Sequence, residues 1–383
     1  VAEKTIAVIG GGIGGLVAAR QLRTLLGAKH RIVLIDKTLH HQFPPLYLWT
    51  LLGWRTPMDA KKPLSILKRF NIRYLNALVH AIHCTQNVIQ TNKEIIWYDY
   101  LIVALGSEPS YSEVPGLSLA TPNFSTLESA EHLHQRLRQF TSGTIAILIG
   151  GLPHRYPPAA YEAALLLDYY YRNLGRKNIT LEIYTPEPSP LSSMGKDIGP
   201  PMLEVLQKRG IKFHPLHTIS DIQGGKNEIL FQNGTTINPD IFMVVPPVKP
   251  PLIIRESGLA GTNDWITVDL RTLRTVFPNV YAIGDNISPQ LADGSFLPKT
   301  GILTTRQADV VANNLAFALE SKGKIKQFSA HGHSFIEAGN GTAGIIRGKY
   351  YERPSPIVSM HKPSMSVHWR KLLYEKYWWF RWF

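Results

Sequence analysis

Reactive sulfur is nearly absent from this sequence: there is one cysteine, Cys84, in 383 residues. One cysteine cannot close an internal disulfide, and any chemistry in which two protein thiols cycle within one chain is excluded. Long apolar runs are missing as well. No stretch of about 18 uninterrupted apolar residues occurs, so no membrane-spanning helix is expected. Acidic residues are scarce, 28 Asp and Glu against 41 Lys and Arg, a net charge of +13. Such a surface suits nucleic acid, anionic lipid or an acidic partner. No nucleic-acid motif accompanies it, so nucleic acid is set aside and a lipid surface is favoured. The histidines include close pairs (His40 and His41, His132 and His134, His331 and His333), but no thiol or carboxylate stands at ligand spacing beside them. No metal site is expected. The chain opens directly on an apolar strand with no leader in front of it, so the expected location is cytoplasmic, apart from any membrane surface.

What is present is concentrated in the first 36 residues. Thr5-Ile6-Ala7-Val8-Ile9 is a β-branched, apolar run that reads as a buried strand. It leads into Gly10-Gly11-Gly12-Ile13-Gly14-Gly15, where Gly10, Gly12 and Gly15 have the G-x-G-x-x-G spacing. Leu16, Ala19, Leu22 and Leu26 then recur at helical spacing. A second strand, Arg31 to Ile35, ends at Asp36, 21 residues beyond Gly15. Gly10 permits the tight turn, Gly12 lets the backbone approach a pyrophosphate, and Gly15 lets the helix pack close on the strand. The helix N-terminus offers N–H groups to phosphate, and Asp36 is placed to accept from an adenosine ribose hydroxyl. A glycine-rich turn without a ligand would not account for Asp36.

Hydrophobic residues make up 44% of the chain, enough for a sizeable core. After Asp36, Phe43 to Trp49 reads as a loop leading into a short helix, and residues 63–70 as a short helix. Asn71 to Thr85 reads as a strand pair and Ile89 to Trp97 as a hairpin. Asp99 to Gly106 is a buried strand closing on glycine. A second strand–helix–strand unit follows: Thr144 to Ile149, a helix over 158–174, and Ile179 to Tyr184. Its turn, Gly150 to Pro158, has lost the glycine spacing, and prolines stand where a pyrophosphate needs bare backbone. Asp240 to Pro247 closes this unit, Tyr281 to Asp285 is another strand ending in Gly-Asp, and 302–320 is a helix.

The expected fold class is α/β, with two Rossmann-type, three-layer dinucleotide-binding domains, the second inserted in the first, and an amphipathic C-terminal tail. The boundaries read as 1–112 and 251–329 for the first domain, 113–250 for the second and 330–383 for the tail. This architecture points to an FAD-binding reductase. In the tail, Trp369, Leu372, Leu373, Phe380 and Phe383 are roughly helix-spaced, among Arg370, Lys371, Lys376 and Arg381. Tryptophan beside Lys or Arg suits a helix lying in lipid headgroups. Packing of the tail on its own protein, or on a second copy in a homo-oligomer, stays open.

The pattern resembles the disulfide oxidoreductase-type flavoproteins. Within them it is most similar to the sulfide:quinone oxidoreductases and flavocytochrome c sulfide dehydrogenases. The shared parts are Gly10 to Gly15, Asp36, Ala104-Leu105-Gly106 and Gly284-Asp285. The narrower ones are Met243 to Pro247, Trp265 to Asp269, Pro278 to Asp285, Pro298 to Gly301, and Pro157 to Glu162. The resemblance implies FAD held by Gly10, Gly12, Ile13, Gly14, Gly15, Asp36, Lys37, Ala104, Leu105, Gly106, Gly284 and Asp285. It puts Lys299, Thr300 and Gly301 near the pyrimidine edge of the isoalloxazine and the Val79 backbone against adenine. It departs from the family at the redox cysteines: Tyr156 and Ser334 stand where they belong, and neither carries sulfur. Tyr156, Glu162 and Ser334 become candidate lining residues. Cys84 lies in neither segment, and covalent attachment of the flavin there is not expected.

The function implied is two-electron transfer from an unidentified donor through FAD to a quinone-like acceptor, peripheral to a membrane. The alternatives are a type II NADH:quinone oxidoreductase-like enzyme, and a flavin-binding scaffold that has retired from catalysis.

Overall fold

The first strand, Thr5–Ile9, is apolar on both faces because it lies at the centre of a parallel sheet. In this computed structural model, which describes residues 2–383, the sheet runs in the order Val280–Ala282, Tyr100–Val103, Thr5–Ile9, Arg31–Asp36, Arg73–Asn76. Ile6 pairs with Ile32 and Ile9 with Ile35, which brings the Gly10 turn level with Asp36. Helix Ile13–Leu26 packs along helix Gly301–Glu320. The chain returns to this sheet at Val280 after building a second parallel sheet, ordered Lys212–His214, Ile179–Tyr184, Gly143–Ile149, Ile241–Val245. Helix Ala159–Asn173 crosses over from the third of these to the second. The α/β class and the return to the first sheet agree with the sequence reading.

Two local expectations change. Arg73–Asn76 and Val79–His83 are not partners: the first extends the parallel sheet and the second opens an antiparallel meander with Val88–Thr91 and Ile95–Trp97. Residues 64–70 form a 3₁₀ helix after Pro63.

The tail holds more than a helix. Strands His331–Gly339, Thr342–Lys349 and Ile357–Ser364 form an antiparallel sheet before helix Met365–Trp382. The Ser364 side chain caps the helix by accepting from the Val367 N–H. Val367, Lys371, Glu375, Trp378 and Trp382 form its buried stripe. Trp378 stacks on Phe43 at 4.9 Å between ring centroids, and the Trp382 carbonyl accepts from Arg20 Nε at 3.2 Å. The apolar residues expected on one face are divided between two. Leu372 and Phe383 turn partly inward, while Trp369, Leu373 and Phe380 face out with Tyr377. The cause is that the inner stripe is set by the larger indole rings of Trp378 and Trp382, seated against the first domain.

Candidate functional site

Gly10 leaves the first strand at φ +101°, a backbone conformation that side chains resist. Its N–H donates to the Ile35 carbonyl at 2.8 Å, which fixes the turn against the second strand. A Cβ at Gly15 would stand 1.8 Å from the Gly10 carbonyl oxygen, so the helix sits this close only without a side chain. A Cβ at Gly12 would meet nothing, because the backbone there borders open space. Helix Ile13–Leu26 has no side-chain cap and no acidic residue in its first turn. Its first N–H groups therefore face that space unshared. Asp36 accepts from the Gly11 N–H at 2.5 Å and from the Thr38 N–H at 2.6 Å. Bare backbone, an uncapped helix end and a carboxylate at the end of the second strand fit a dinucleotide.

This cradle opens into a cavity of about 480 Å³. Of the residues assigned to the cofactor from sequence, all but Gly15 and Val79 line it, and Tyr156, Glu162 and Ser334 line it too. Gly15 lies behind the wall, where its packing job puts it. Val79 sits at the start of the meander, half-buried against the core, and its side chain is not part of the lining.

Lys299 is spoken for. Its ammonium donates to the Asp285 and Ile287 carbonyls at 2.9 and 3.0 Å and lies 3.6 Å from the centre of the Trp265 ring. Burial pushes it down to about 8. Thr300 caps helix Gly301–Glu320, accepting from the Leu303 N–H at 3.4 Å. Together they hold the Gly284–Asp285 turn beside that helix end. Arg155 joins them, donating from Nε to Ser107 Oγ at 3.1 Å, with Asp285 Oδ2 3.8 Å away.

The far end of the cavity is different in chemistry. Phe43, Leu46, Tyr47, Trp49 and Tyr374 make it apolar. Into it reach Glu162 and Lys371, a buried pair at 2.5 Å, with the ammonium 4.9 Å from the Trp49 ring centre. The sequence reading took Lys371 as a surface charge. The signal against that was its spacing: Lys371, Glu375, Trp378 and Trp382 fall on one helix stripe.

Tyr156 holds a left-handed backbone, φ +47°, and its hydroxyl donates to the Phe335 carbonyl. That bond brings the second domain's turn onto strand His331–Gly339, so Tyr156 and Ser334 share one part of the wall without any thiol. Cys84 is buried outside the cavity, and burial pushes its thiol up to about 11. A thiol held neutral and away from the wall cannot serve as the missing nucleophile.

The second domain's turn is filled. A Cβ on Gly151 would already touch Pro247, at 3.1 Å. Glu187, just past strand Ile179–Tyr184 where a ribose-binding acid would stand, is turned inward. It accepts from the Ser193 N–H at 2.8 Å and the Tyr161 hydroxyl at 3.3 Å.

His41 ties the C-terminal helix to the cradle. Its Nδ1–H donates to the Gly11 carbonyl at 2.9 Å, its ring lies 5.8 Å from that of Trp378, and Nε2 has no partner. Burial lowers its pKa from 6.5 to about 4, against smaller opposing effects of the Gly11 carbonyl and Asp36. The unfolded chain then binds a proton that the folded one refuses between these two values. Stability is full above pH 6.5 and falls as pH drops toward 4, by about 3 kcal/mol from this group. Unfolding free energies of the protein and of His41→Asn between pH 7 and 4 check this. The variant should lose much less on acidification, and an equal loss in both would remove His41 as the cause.

Residues 4–305 match the pyridine nucleotide-disulphide oxidoreductase family. The mitochondrial sulfide:quinone oxidoreductase of Dictyostelium discoideum is 30% identical over 342 residues, covering 81% of this chain and 70% of that protein. A demethylphylloquinone reductase of Synechocystis is 25% identical over 343 residues, covering 82% of this chain and 79% of that protein. The crystal structure of the sulfide:quinone oxidoreductase from Aquifex aeolicus superposes with a TM-score of 0.88 at 24% identity, over 99% of this chain and 91% of that one. The fold, the glycine cradle and these likenesses agree: the chain belongs to the pyridine nucleotide-disulphide oxidoreductase family, as a flavin-dependent oxidoreductase of its sulfide:quinone oxidoreductase-like branch.

Proposed function

We propose that the protein passes two electrons from a reductant through FAD to a quinone-like acceptor, without thiol chemistry, at a membrane surface. The observation that carries this reading is the continuity of one cavity, from the Gly10–Gly15 cradle and Asp36 to an aromatic chamber beneath the C-terminal helix. FAD, when bound, supplies the two-electron chemistry. The chain's part is to hold its phosphates on the Gly12 backbone, to support the Gly284–Asp285 turn through Lys299, and to offer an apolar chamber to a ring-shaped acceptor. Relatives named for quinones support the acceptor class. Tyr156, Ser334 and the remote Cys84 argue against sulfur carried on the protein. The filled second turn and the inward Glu187 argue against NADH as donor.

The test is anaerobic. Neither sulfide nor NADH should bleach the bound flavin rapidly. Flavin reduced with dithionite should be reoxidised by a short-chain ubiquinone within the turnover time of ordinary enzymes, about 0.1 s. Fast bleaching by NADH would favour the NADH:quinone reading, and fast bleaching by sulfide would overturn the exclusion of sulfide as donor. Failure of the quinone to reoxidise the flavin would leave the retired scaffold.

The membrane part rests on the outer face of helix Met365–Trp382. Trp369, Leu373, Tyr377 and Phe380 are exposed at helical spacing, with Arg370 and Lys376 beside them. An apolar stripe flanked by cations suits an interfacial helix. Leu373→Glu with Phe380→Glu should cut flotation with phosphatidylcholine–phosphatidylglycerol vesicles by roughly tenfold or more, since each buried large side chain contributes about 1.5–3 kcal/mol. The far-UV spectrum should not change. Undiminished flotation would mean that this face does not meet lipid.

A further inference from the structure

Two titratable side chains lie just outside the cavity wall, and the function above leaves them without work. Glu337, on strand His331–Gly339, is 2% exposed. Its carboxylate takes His368 Nδ1 at 3.0 Å on one side and Lys371 Nζ at 3.7 Å on the other. His368 stands in the first turn of the C-terminal helix with its side chain 22% exposed. Lys371 is bonded in turn to Glu162 at 2.5 Å, and both line the cavity. The order is therefore solvent, His368, Glu337, Lys371, Glu162, cavity. The groups facing Glu337 are Lys371 and His368 from the helix, Glu162 from helix Ala159–Asn173, and Tyr156 from the second domain's turn. Burial, aided by Glu162, raises the Glu337 carboxyl against the opposing pull of Lys371 and His368, which lets it hold a proton nearer to neutral pH.

We propose that His368 and Glu337 are the proton inlet for the acceptor end of the cavity, a role that rests on the acceptor reading above. A quinone becomes a quinol by taking two electrons, from the reduced flavin, and two protons. Lys371, Glu162, the tyrosine hydroxyls, His333, Ser334 and Glu375 are the groups on this wall that can carry a proton, and whatever is given up must be replaced. Each proton passed from Lys371 or Glu162 to an acceptor oxygen is restored through Glu337 by His368, and His368 is restored by bulk water. With FAD bound, its reduced form would supply the electron pair and release its own N–H proton to solvent, the quinone would take the two relayed protons, and the relay ends as it began. His368 and Glu337 act through Lys371 and Glu162, without touching the acceptor.

The flavin-loaded protein carries the test. In His368→Ala, reduction by dithionite should be unaltered. Reoxidation by the short-chain ubiquinone at neutral pH should slow roughly a hundredfold, the lower range for loss of a positioned proton donor. Added imidazole should restore the rate in proportion to its concentration. Glu337→Gln should slow in the same way but resist rescue, because its place is closed to solvent. A histidine that merely ties helix to strand would lower the melting temperature of His368→Ala without rescue by imidazole, and that result overturns the proposal.

A second readout needs no acceptor. Transfer into deuterated water at mildly acid pH should shift the infrared carboxyl band of Glu337, the band missing from Glu337→Gln. The shift should come more slowly in His368→Ala. Equal exchange rates overturn the inlet whatever the quinone does. Unequal rates in a protein that no quinone reoxidises keep the inlet and overturn the acceptor reading instead.

Discussion

Gly15→Ala should yield a destabilised protein that purifies without flavin colour. The added methyl carbon would stand 1.8 Å from the Gly10 carbonyl oxygen and 3.2 Å from Val8 Cγ1. Neither neighbour can step aside. Gly10 is bonded to Ile35, and its own position is hemmed by the Ala104 carbonyl, 2.3 Å from where a Cβ would be. The helix itself must move away from the strand. Alanine gains about 1 kcal/mol over glycine in a helix, but overpacking of this severity costs about 3 kcal/mol, so the clash wins. The displaced helix end then no longer presents its N–H groups to the phosphates. Gly12→Ala separates the two effects. Its methyl meets no protein atom and enters the space left for a ligand. That variant should melt like the parent when both are stripped of flavin, yet retain far less FAD. The checks are thermal unfolding of the stripped proteins and the flavin absorbance after purification. Full flavin in Gly12→Ala would mean that no pyrophosphate lies against this turn.

These glycines were legible because their signal is local. Strand, turn, helix and terminal acid lie within 36 residues, and each states its own requirement in residue type. The second turn was legible for the same reason, through its prolines. Pairing across distance was not. Arg73–Asn76 and Val79–His83 read as a strand pair because nothing in segments of four and five residues says which strand they will meet. The sheet over residues 331–364 escaped because the aromatic tail drew the reading to the helix alone. Lys371 escaped because a lysine among aromatics and arginines reads as surface. Its partners Glu162, 209 residues away, and Glu337 offset the cost of the buried cation. Residues of that kind are set by tertiary neighbours, and sequence offers only the helix stripe as a hint.

Lys371→Met is the sharpest probe of that buried centre. The lysine, Glu162 and Glu337 side chains are 8%, 3% and 2% exposed. Methionine fills much of the same volume, so packing against Trp49 is largely kept. What goes is the cation held between these two buried carboxylates; His368 remains, beside Glu337 alone. Removing one partner of such a pair costs about 3–5 kcal/mol, because the remaining charge is left in a poor solvent. The penalty falls on the charged form only, and this fixes its pH dependence. Without the ammonium, which opposes the upward shift, the folded Glu337 carboxyl titrates still further above its unfolded value. The folded state then binds more protons than the unfolded one, and stability falls as pH rises through the folded value. The deficit of Lys371→Met should therefore be smallest in mild acid and widen toward pH 8. Urea unfolding at the two ends measures it, and a deficit that does not change with pH would mean that the lysine acts by shape. Adding Glu162→Gln and Glu337→Gln to Lys371→Met removes the stranded charges and should return most of the stability, as neutral groups replace a buried ionic set at little net cost. It should not return quinone reduction. A stable, flavin-coloured triple variant that still fails to pass electrons would separate what this centre does for the acceptor from what it does for the fold, whereas recovery of both would reduce the buried pair to a structural device.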